Sequence, residues 1–435
     1  MRPVAESPCV VLPWELTGAT VVLRCTIQGL AFSERIEFED AFELTPQRRA
    51  LLDMLSLASV VSYAKAFAPI DIDASHFLVP EPTHEMITAL YDHGMREFAT
   101  HNNLDQEATF TLIGNAAPHA DTSVANVSST TTNPQRPLIP MGGGRDSSVV
   151  ATALRALDPV LLSIGHNSFV EDIADRLSLP LHTVTRKIDP QLLDLNAQGS
   201  LNGHIPITAI NSLIALLAAD IYGCDCVVMA NEKSASEPTR IVDGYVINHQ
   251  YSKSYDFEQL LRAALATANV GINYFSALRD RNDDEIASTF AHSCTSLHTA
   301  FMSCNQAMLR DPNRRSKSWC GQCPKCRSVF LSLAPHLSPA HLTEIFGRDL
   351  LDDASQIAGF KDLIDVDAKP YECVGEIASA RHAIVSLQAL PEWKDHRVVV
   401  AIGEVPPINH TTSVAHHGHF IPEQIHRLVG KVFSA

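Results

Sequence analysis

The chain has 435 residues, of which 46% are hydrophobic and 19% are charged, a balance typical of globular domains and not of disordered chains. Its formal net charge is -16, and no run of lysine and arginine stands out. Nucleic-acid binding needs clustered cations, so we expect no nucleic-acid partner. The length favours two or three domains.

The beginning of the chain, MRPVAESPCVVLPWEL, contains no long apolar core. No uninterrupted apolar run approaches the roughly 20 residues of a membrane helix, so we expect neither a signal peptide nor a membrane contact. Three of the ten cysteines lie in CGQCPKC, a spacing that favours metal binding in a reducing compartment over disulfide formation. The expected location is therefore the cytoplasm.

The first third of the chain indicates an N-terminal α+β domain. Residues 18–40 alternate in polarity like paired strands, and residues 47–67 have the period of an amphipathic helix. Residues 115–137 are rich in Ser, Thr, Asn and Pro and poor in large apolar side chains, which predicts a linker. The N-terminal domain is accordingly predicted to span residues 1–125.

Beyond this linker, short apolar runs alternate with helical patterns. Strands are predicted at residues 137–141, 159–165, 181–186 and 224–230, and helices at residues 147–157, 168–178 and 206–223. This rhythm predicts a parallel sheet with helices on both faces, which binds ligands beyond the carboxyl ends of its strands. The α/β core is assigned to residues 126–346. The rhythm is lost after that, so residues 347–435 are predicted to form a small C-terminal α/β domain.

A glycine-rich turn follows the first strand of this core, in the sequence PMGGGRDSSVV. Glycines between a strand and a helix let backbone N–H groups converge on an anion. The turn lacks the lysine of a Walker A loop and the spacing of a dinucleotide fold. It resembles instead the S-G-G-x-D-S loop of the ATP pyrophosphatases (the PP-loop, or HUP-like, fold), which adenylate their substrates. The predicted ATP-binding residues here are Gly142, Gly143, Gly144, Arg145, Asp146 and Ser147.

Gly142 stands where that loop has its first serine, which removes one hydroxyl donor. Mg²⁺ is expected to accompany ATP, and Arg145 is a candidate charge partner of the phosphates. A glycine-rich turn that holds no ligand is the alternative.

A second motif contains four cysteines near the end of the predicted α/β core segment. Two successive C-x-x-C steps and one more distant cysteine provide the four thiolates of a tetrahedral metal site. Structural zinc is favoured, and an iron–sulfur cluster and unliganded thiols are the alternatives. The predicted ligands are Cys304, Cys320, Cys323 and Cys326, with Cys294 a competitor for the fourth position.

Three polar strings, NGHIPIT, ANEKSASEPTR and INHQYSKSYDFE, are predicted at strand and helix ends of the same sheet. They should converge where the nucleotide lies, although each of them alone also fits an ordinary surface loop. They supply two sets of candidates. Asn231, Glu232 and Ser234 are predicted to contact ATP, and His204, Lys233, His249 and Lys253 are predicted proton carriers.

Taken together, GGGRDS, NGHIP, NEKSAS, NHQYSKSYDFE, WCGQCPKCRSVF and KPYECVGE resemble the ATP-dependent UDP-N-acetylmuramoyl-L-alanyl-L-glutamate epimerases, the MurL family. VSYAKAFAP and MREFATHNN in the first domain are similar as well, so the resemblance covers nearly the whole chain. It implies cleavage of ATP to AMP and diphosphate, with inversion of the terminal L-glutamate of a UDP-MurNAc-dipeptide substrate during peptidoglycan precursor synthesis.

Cys373 in KPYECVGE is a further candidate base, because cofactor-free glutamate racemases use thiols. A buried structural cysteine is the alternative at that position. Two other functions remain open at this stage. One is a different adenylating enzyme, such as one that amidates a small carboxylate. The other is a zinc-stabilised nucleotide-binding module without turnover.

Overall fold

The computed structural model describes residues 7–107, 109–114, 134–309, 312–405 and 418–434. Most of the predicted linker, and with it the predicted domain boundary after residue 125, lies outside the described residues. The strands are β1 (Cys9–Thr17), β2 (Thr20–Ile27), β3 (Leu30–Glu37), β4 (Ile70–Asp73), β5 (Phe110–Ile113), β6 (Pro137–Pro140), β7 (Val160–Ile164), β8 (Leu181–Lys187), β9 (Cys226–Glu232), β10 (Arg240–Val242), β11 (Tyr245–Ile247) and β12 (Asn273–Leu278).

The helices alternate with these strands, and among the described residues after β12 only helices follow. They are α1 (Pro46–Ser59), α2 (Val61–Ala64), α3 (Glu81–Asp92), α4 (Arg96–His101), α5 (Arg145–Ala153), α6 (Ser168–Leu177), α7 (Gln191–Ala197), α8 (Ile207–Ile221), α9 (Tyr255–Thr267), α10 (Asp283–Ser293), α11 (Pro324–Leu333), α12 (Pro339–Phe346), α13 (Ile357–Ile364), α14 (Ile377–Ala389), α15 (Arg397–Ile402) and α16 (Glu423–Phe433).

Ten of the strands form one sheet in the order β12-β9-β6-β7-β8-β3-β2-β1-β4-β5. The strands from β12 to β8 are all parallel, as the alternating pattern predicts, and so are β1, β4 and β5. Antiparallel pairing joins β8, β3, β2 and β1. The protein is thus an α/β protein with a large, mostly parallel sheet.

The paired strands expected near the N-terminus are the hairpin β2–β3. Its register runs from Thr20 opposite Glu37 to Ile27 opposite Leu30. The two-residue turn between the strands has positive φ at both positions, 49° at Gln28 and 80° at Gly29. Such a turn follows the natural twist of a hairpin, so short-range chemistry sets this part of the fold.

Two hydrophobic cores cover the two faces of the sheet. Successive residues of β6 alternate between them, with Leu138 in one core and Ile139 in the other. The first core also contains residues of β1–β4 and α8, and the second contains residues of α5, α10, α11 and the C-terminal helices. Each core therefore combines residues from both sides of a predicted domain boundary.

The strand pair β3–β8 connects the N-terminal strands to the parallel core through a buried ion pair. The Arg186 guanidinium donates to both carboxylate oxygens of Glu34, at 2.7 and 3.0 Å. Ser62 and Tyr63 bond the same pair, Ser62 Oγ accepting from Arg186 and Tyr63 donating to Glu34. This network fixes the register at the junction.

The predicted α/β character of the C-terminal segment needs correction. The described residues after residue 346 form α13–α16 and no sheet strand. Its buried apolar side chains recur at helical spacing, as with Ile425 and Val429 on α16. These helices pack on α5, α10 and α11, so they extend the second core instead of adding strands.

The predicted helix at residues 47–67 forms as α1, α2 and a short 3-10 turn. In the described part of the chain, only this stretch, Pro46–Phe67, is long and apolar enough to cross a membrane. However, 83% of its most apolar window is buried inside the protein, as in the core helix of a globular fold.

Candidate active site

The site lies where the order of the parallel strands reverses. From β6 the chain adds β7 and then β8 on one side of the sheet, whereas β9 and β12 are added on the other side. The strand order therefore reverses between the neighbouring strands β6 and β9. Ligands of doubly wound sheets bind beyond the carboxyl ends of two such strands. The glycine-rich turn follows β6 and the NEKSAS string spans the end of β9, so two of the predicted motifs meet at this point.

The glycine-rich turn is shaped by contacts that leave the start of α5 open. Gly143 has φ of +81°, and its carbonyl accepts from the Met302 N–H at 2.7 Å. Gly144 is the N-cap of α5, and in the described structure no side chain caps the helix there. Free N–H groups at a helix N-terminus attract an anion. Gly142 is exposed, and no described atom lies within 4 Å of the place where a Cβ would stand.

Arg145, the predicted charge partner of phosphate, is directed into the protein. Its guanidinium bonds Asp146 at 2.9 Å, Asp283 at 2.6 Å and Ser332 at 2.8 Å. All three guanidinium nitrogens are thereby used. The side chain acts as an internal counter-ion that connects α5 with α10 and α11.

Beside the turn, polar side chains enclose a cavity of about 50 Å³, enough for a small reacting group but not for a whole nucleotide. The cavity lies between the glycine-rich turn, the end of β9 and the KPYECVGE segment. Its charged and polar lining includes Asp146, Asn231, Glu232, Lys253, Lys325 and Cys373.

Glu232 supplies a carboxyl group with unused bonding capacity. One oxygen accepts from Ser234 Oγ at 2.6 Å, whereas Oε2 is buried and has no hydrogen-bond partner among the described residues. Burial, followed by the charges of Asp283 and Asp146, raises the pKa of Glu232 to about 8. A cation in the cavity would satisfy this oxygen.

Cys373 faces the same cavity as a thiolate. Burial acts to raise the pKa of its thiol, but the charge of Lys253, a hydrogen bond from His249 and the charge of Lys325 lower that pKa to about 5. Lys253 Nζ lies 3.1 Å from the sulfur, and Lys325 donates to the carbonyl of Cys373. A thiol with these neighbours is ionised at neutral pH and can accept a proton.

His249 connects this thiolate to a carboxylate that the sequence did not single out. Its Nδ1 lies 2.5 Å from Oε2 of Glu97, a residue of α4 that is only 6% exposed. Burial acts to lower the pKa of His249, but bonds to Cys373 and Glu97 raise it to about 9. Glu97 lies within MREFATHNN, one of the stretches that resemble the MurL family, and that resemblance was the available signal.

His204, the next predicted proton carrier, packs against His249 with a distance of 4.4 Å between ring centroids. Burial, followed by the charge of His249, lowers the pKa of His204 to about 4, so its ring is neutral. Of the five predicted proton carriers, four thus lie together. Lys233 does not join them, because its side chain is exposed on the turn after β9.

The remaining residues predicted to contact the nucleotide partly form hydrogen bonds within the protein. Ser147 Oγ donates to the Gly144 carbonyl at 3.3 Å, and Ser234 bonds Glu232 as described. The backbone carbonyl of Asn231 accepts from Ser276 Oγ at 2.6 Å, which leaves its side chain facing the cavity.

A larger cavity of about 380 Å³ opens on the other side of Gly143. It lies between the carboxyl end of β7, the first turn of α6 and the segment after Cys304. Asn167 and Phe169, which line it, also approach Gly143, and Arg315 and Lys317 add positive charge. Its size and position fit a nucleoside.

The four predicted metal ligands come together at the start of α11. The sulfurs of Cys304, Cys320, Cys323 and Cys326 all lie within 4.8 Å of one another. The Cys326 sulfur is 3.7 Å from that of Cys320 and 3.4 Å from that of Cys323. Cys294 is not the fourth member, since its sulfur contacts Thr152 Oγ1 at 3.5 Å instead.

The fold and this site define an α/β protein with a glycine-rich turn, open at a helix start, near a cysteine paired with lysine. The family models of the MurL N-terminal domain and the MurL C-terminal domain match residues 14–277 and 300–416. Three curated relatives carry the name UDP-N-acetyl-alpha-D-muramoyl-L-alanyl-L-glutamate epimerase. That of a Micromonospora species is 39% identical over 87% of this chain and 83% of its own length.

The relative from Salinispora tropica is 40% identical over 86% of this chain and 80% of its own length. That from Xanthomonas oryzae pv. oryzae is 38% identical, covering 80% and 76%. The chain belongs to the MurL family.

Proposed function

We propose that this protein inverts the terminal L-glutamate of UDP-MurNAc-L-Ala-L-Glu to D-glutamate and consumes ATP in doing so. The observation that carries the proposal is the cavity that Asp146, in the first turn of α5 after the glycines, lines together with Cys373. The names of the relatives support the substrate, and the strand order of the parallel core supports a PP-loop type of nucleotide site.

The chemistry explains why both parts are needed. The α-proton of glutamate is very weakly acidic beside a carboxylate, because its removal would place a second negative charge next to the first. Pyridoxal phosphate cannot assist, since the nitrogen of this glutamate is an amide and forms no Schiff base. Transfer of AMP to the α-carboxylate, with release of diphosphate, gives a neutral acyl group whose α-proton a thiolate can remove.

In this proposal the backbone N–H groups of Gly143 and Gly144 bind the phosphates of ATP, and the 380 Å³ cavity beside them takes the adenosine. Asp146 and Glu232 fit Mg²⁺, because both carboxylates line the small cavity and one Glu232 oxygen has no described partner. The ion would neutralise charge on the leaving diphosphate.

Proton transfer is assigned first to Cys373. Its thiolate takes the α-proton and becomes a thiol, and a proton is returned to the opposite face of the carbon. Water then hydrolyses the acyl–AMP bond and releases AMP. Lys253, whose Nζ is 3.1 Å from the sulfur, keeps the thiolate charged between turnovers.

The cysteine cluster is proposed to hold a structural zinc ion. A tetrahedral site with Zn–S bonds of about 2.3 Å separates its sulfurs by about 3.8 Å, close to the 3.7 Å between Cys320 and Cys326. With four protein ligands such a site is closed and stabilises the fold. None of the ten cysteines forms a disulfide, in keeping with the proposed cytoplasmic location.

The test is incubation with ATP, Mg²⁺ and UDP-MurNAc-L-Ala-L-Glu in D₂O. We expect deuterium at the glutamate α-carbon, D-glutamate in the product and AMP, and none of these with an ATP analogue that cannot be cleaved between its α- and β-phosphates. Asp146→Ala should abolish AMP formation, while Asp175→Ala on the exposed side of α6 should not.

Each other outcome would indicate a different function or mechanism. AMP without deuterium would indicate a different adenylating enzyme, and bound nucleotide without AMP would indicate a binding module. Deuterium uptake without ATP would refute the adenylate route.

A further inference from the structure

The buried carboxylate of Glu97 contacts the ring of His249, one of the predicted proton carriers. Glu97 belongs to the short helix α4 and is 6% exposed. Its Oε2 lies 2.5 Å from Nδ1 of His249, and its Oε1 is 4.0 Å from Nδ1 of His101. A buried carboxylate is costly unless it is paired, and His249 is the pairing group.

We propose that Glu97 is a positioning residue that holds His249 against Cys373 and so keeps the cysteine ready to accept a proton. The inference rests on the proposed function of Cys373 as a base. It adds a residue from the N-terminal part of the chain to the predicted proton carriers, all of which lie after residue 200.

The geometry supports a chain of three groups. Because Glu97 occupies Nδ1 of His249, Nε2 is the ring nitrogen left to interact with Cys373, whose pKa His249 lowers. A carboxylate at the far nitrogen fixes both the orientation of the ring and the nitrogen that carries the shared proton. The same logic orients the histidine of a nucleophile–histidine–carboxylate triad.

The charges around Glu97, His249 and Cys373 agree with this arrangement. Lys253, Lys325 and His249 face Cys373, while Glu97, Cys373 and the neutral His204 face His249. Removal of the Glu97 charge makes the His249 cation less stable. A less stable cation in turn makes the thiolate of Cys373 less stable, which predicts a higher pKa for that thiol.

A divalent cation held by Glu97, His204 and His249 is the competing interpretation, because their donor atoms lie within 4.8 Å of one another. Two observations favour positioning through His249. The 2.5 Å contact joins Glu97 and His249 directly, and His249 lowers the pKa of Cys373.

The test compares Glu97→Gln with Glu85→Gln, the same change at an exposed position of α3. Thiolate absorbance near 240 nm is titrated in each variant, and the signal of the matching Cys373→Ser protein is subtracted. We expect Glu97→Gln to move the titration of Cys373 upward by about one pH unit, and Glu85→Gln to leave it unchanged. Glu97→Asp retains the negative charge, so its Cys373 pKa should lie between those of the unsubstituted protein and Glu97→Gln.

A second readout is catalytic. In Glu97→Gln, ATP-dependent deuterium exchange should fall by about fivefold at pH 5 and stay near its original value at pH 8, because a pKa raised by about one unit from about 5 removes most of the thiolate only at low pH. Diphosphate release and the KM for ATP should stay near their original values. An unmoved thiolate titration in a folded Glu97→Gln protein would overturn the proposal. So would the loss, in that variant, of a tightly bound Mn²⁺ or Zn²⁺ ion that the Glu85→Gln protein retains. The titration needs no substrate, so it reports on Glu97 even where the proposed epimerisation fails.

Discussion

At the scale of single residues, two acidic groups that line one cavity have opposite protonation states at neutral pH. Cys373, ordinarily a weak acid, is ionised because lysine and histidine charges surround it. Glu232, ordinarily ionised, has its pKa raised to about 8 by burial and by neighbouring carboxylates. Environment, and not residue type, therefore sets which of the two groups is ionised.

The first residue-scale prediction concerns Cys373 and pH. Since the thiolate reacts and the thiol does not, its alkylation by iodoacetamide should rise as pH increases through about 5. Lys253→Met removes the charge that contributes most to this low pKa, so the rise should move to higher pH. Lys361→Met on an exposed position of α13 is the control. Peptide mass spectrometry measures the labelling, and identical profiles for the two variants would contradict the assignment.

The glycine-rich turn gives a second prediction at this scale. Gly143 has φ of +81°, and an added Cβ would lie 3.3 Å from the Met302 carbonyl oxygen, so Gly143→Ala should distort the turn. At Gly142 a Cβ meets open space, so Gly142→Ser should fold normally and restore the hydroxyl of related loops. Diphosphate release should fall sharply in the first variant and persist in the second. Equal activity of the two would show that the turn does not bind phosphate.

At the scale of elements, the cysteine cluster connects two separate segments to the start of α11. Cys323 is the N-cap of that helix and accepts from the Cys326 N–H at 3.4 Å. Cys304 comes from a loop that follows α10, directly after the residues that contact Gly143. A metal ion here would therefore fix the helix start and support the wall of the anion-binding turn.

The corresponding prediction is a metal-dependent loss of stability. Cys323→Ser should lose bound zinc and lower Tm, because the free energy of metal binding is also free energy of folding. Cys294→Ser serves as the matched control, since its sulfur contacts Thr152 and not the cluster. Elemental analysis and thermal unfolding of the two variants are the measurements. Absence of zinc and iron from the unsubstituted protein would rule out the metal site.

At the scale of the whole molecule, one continuous sheet joins the N-terminal strands to the parallel core. The pairing of β3 with β8 makes this connection over three residue pairs, and the Glu34–Arg186 ion pair is buried beneath it. Glu97 comes from the part of the chain before this junction and Cys373 from the part after it, and both belong to the same candidate site.

The whole-molecule prediction compares neighbouring residues of β8. Arg186→Met leaves the fully buried Glu34 without its ion partner and should lower the free energy of unfolding by about 3–5 kcal/mol. Lys187→Met removes an exposed ion pair with Glu37, and should cost under about 1 kcal/mol. Urea unfolding measures both. Similar losses in the two variants would mean that the junction does not depend on the buried pair.

The sequence by itself determined the features that depend on near neighbours along the chain. The alternation of apolar runs predicts β6–β9 and the helices between them, because strand and helix periods differ. The glycines before α5 and the C-x-x-C steps are equally local, so the turn between β6 and α5 and the four clustered thiols were both predictable. The MurL resemblance, confirmed by the family models, also follows from short motifs in order.

Only the tertiary structure decided which distant groups touch. Arg145 has the residue type of a phosphate contact, yet its guanidinium is bonded to Asp283 and Ser332 from other helices. Nothing in the pattern around Glu97 indicates its bond to His249, since the two residues are 152 positions apart in the sequence. The pKa values of the site depend on such contacts. Charge and burial act through space, and periodicity along the chain carries no information about them.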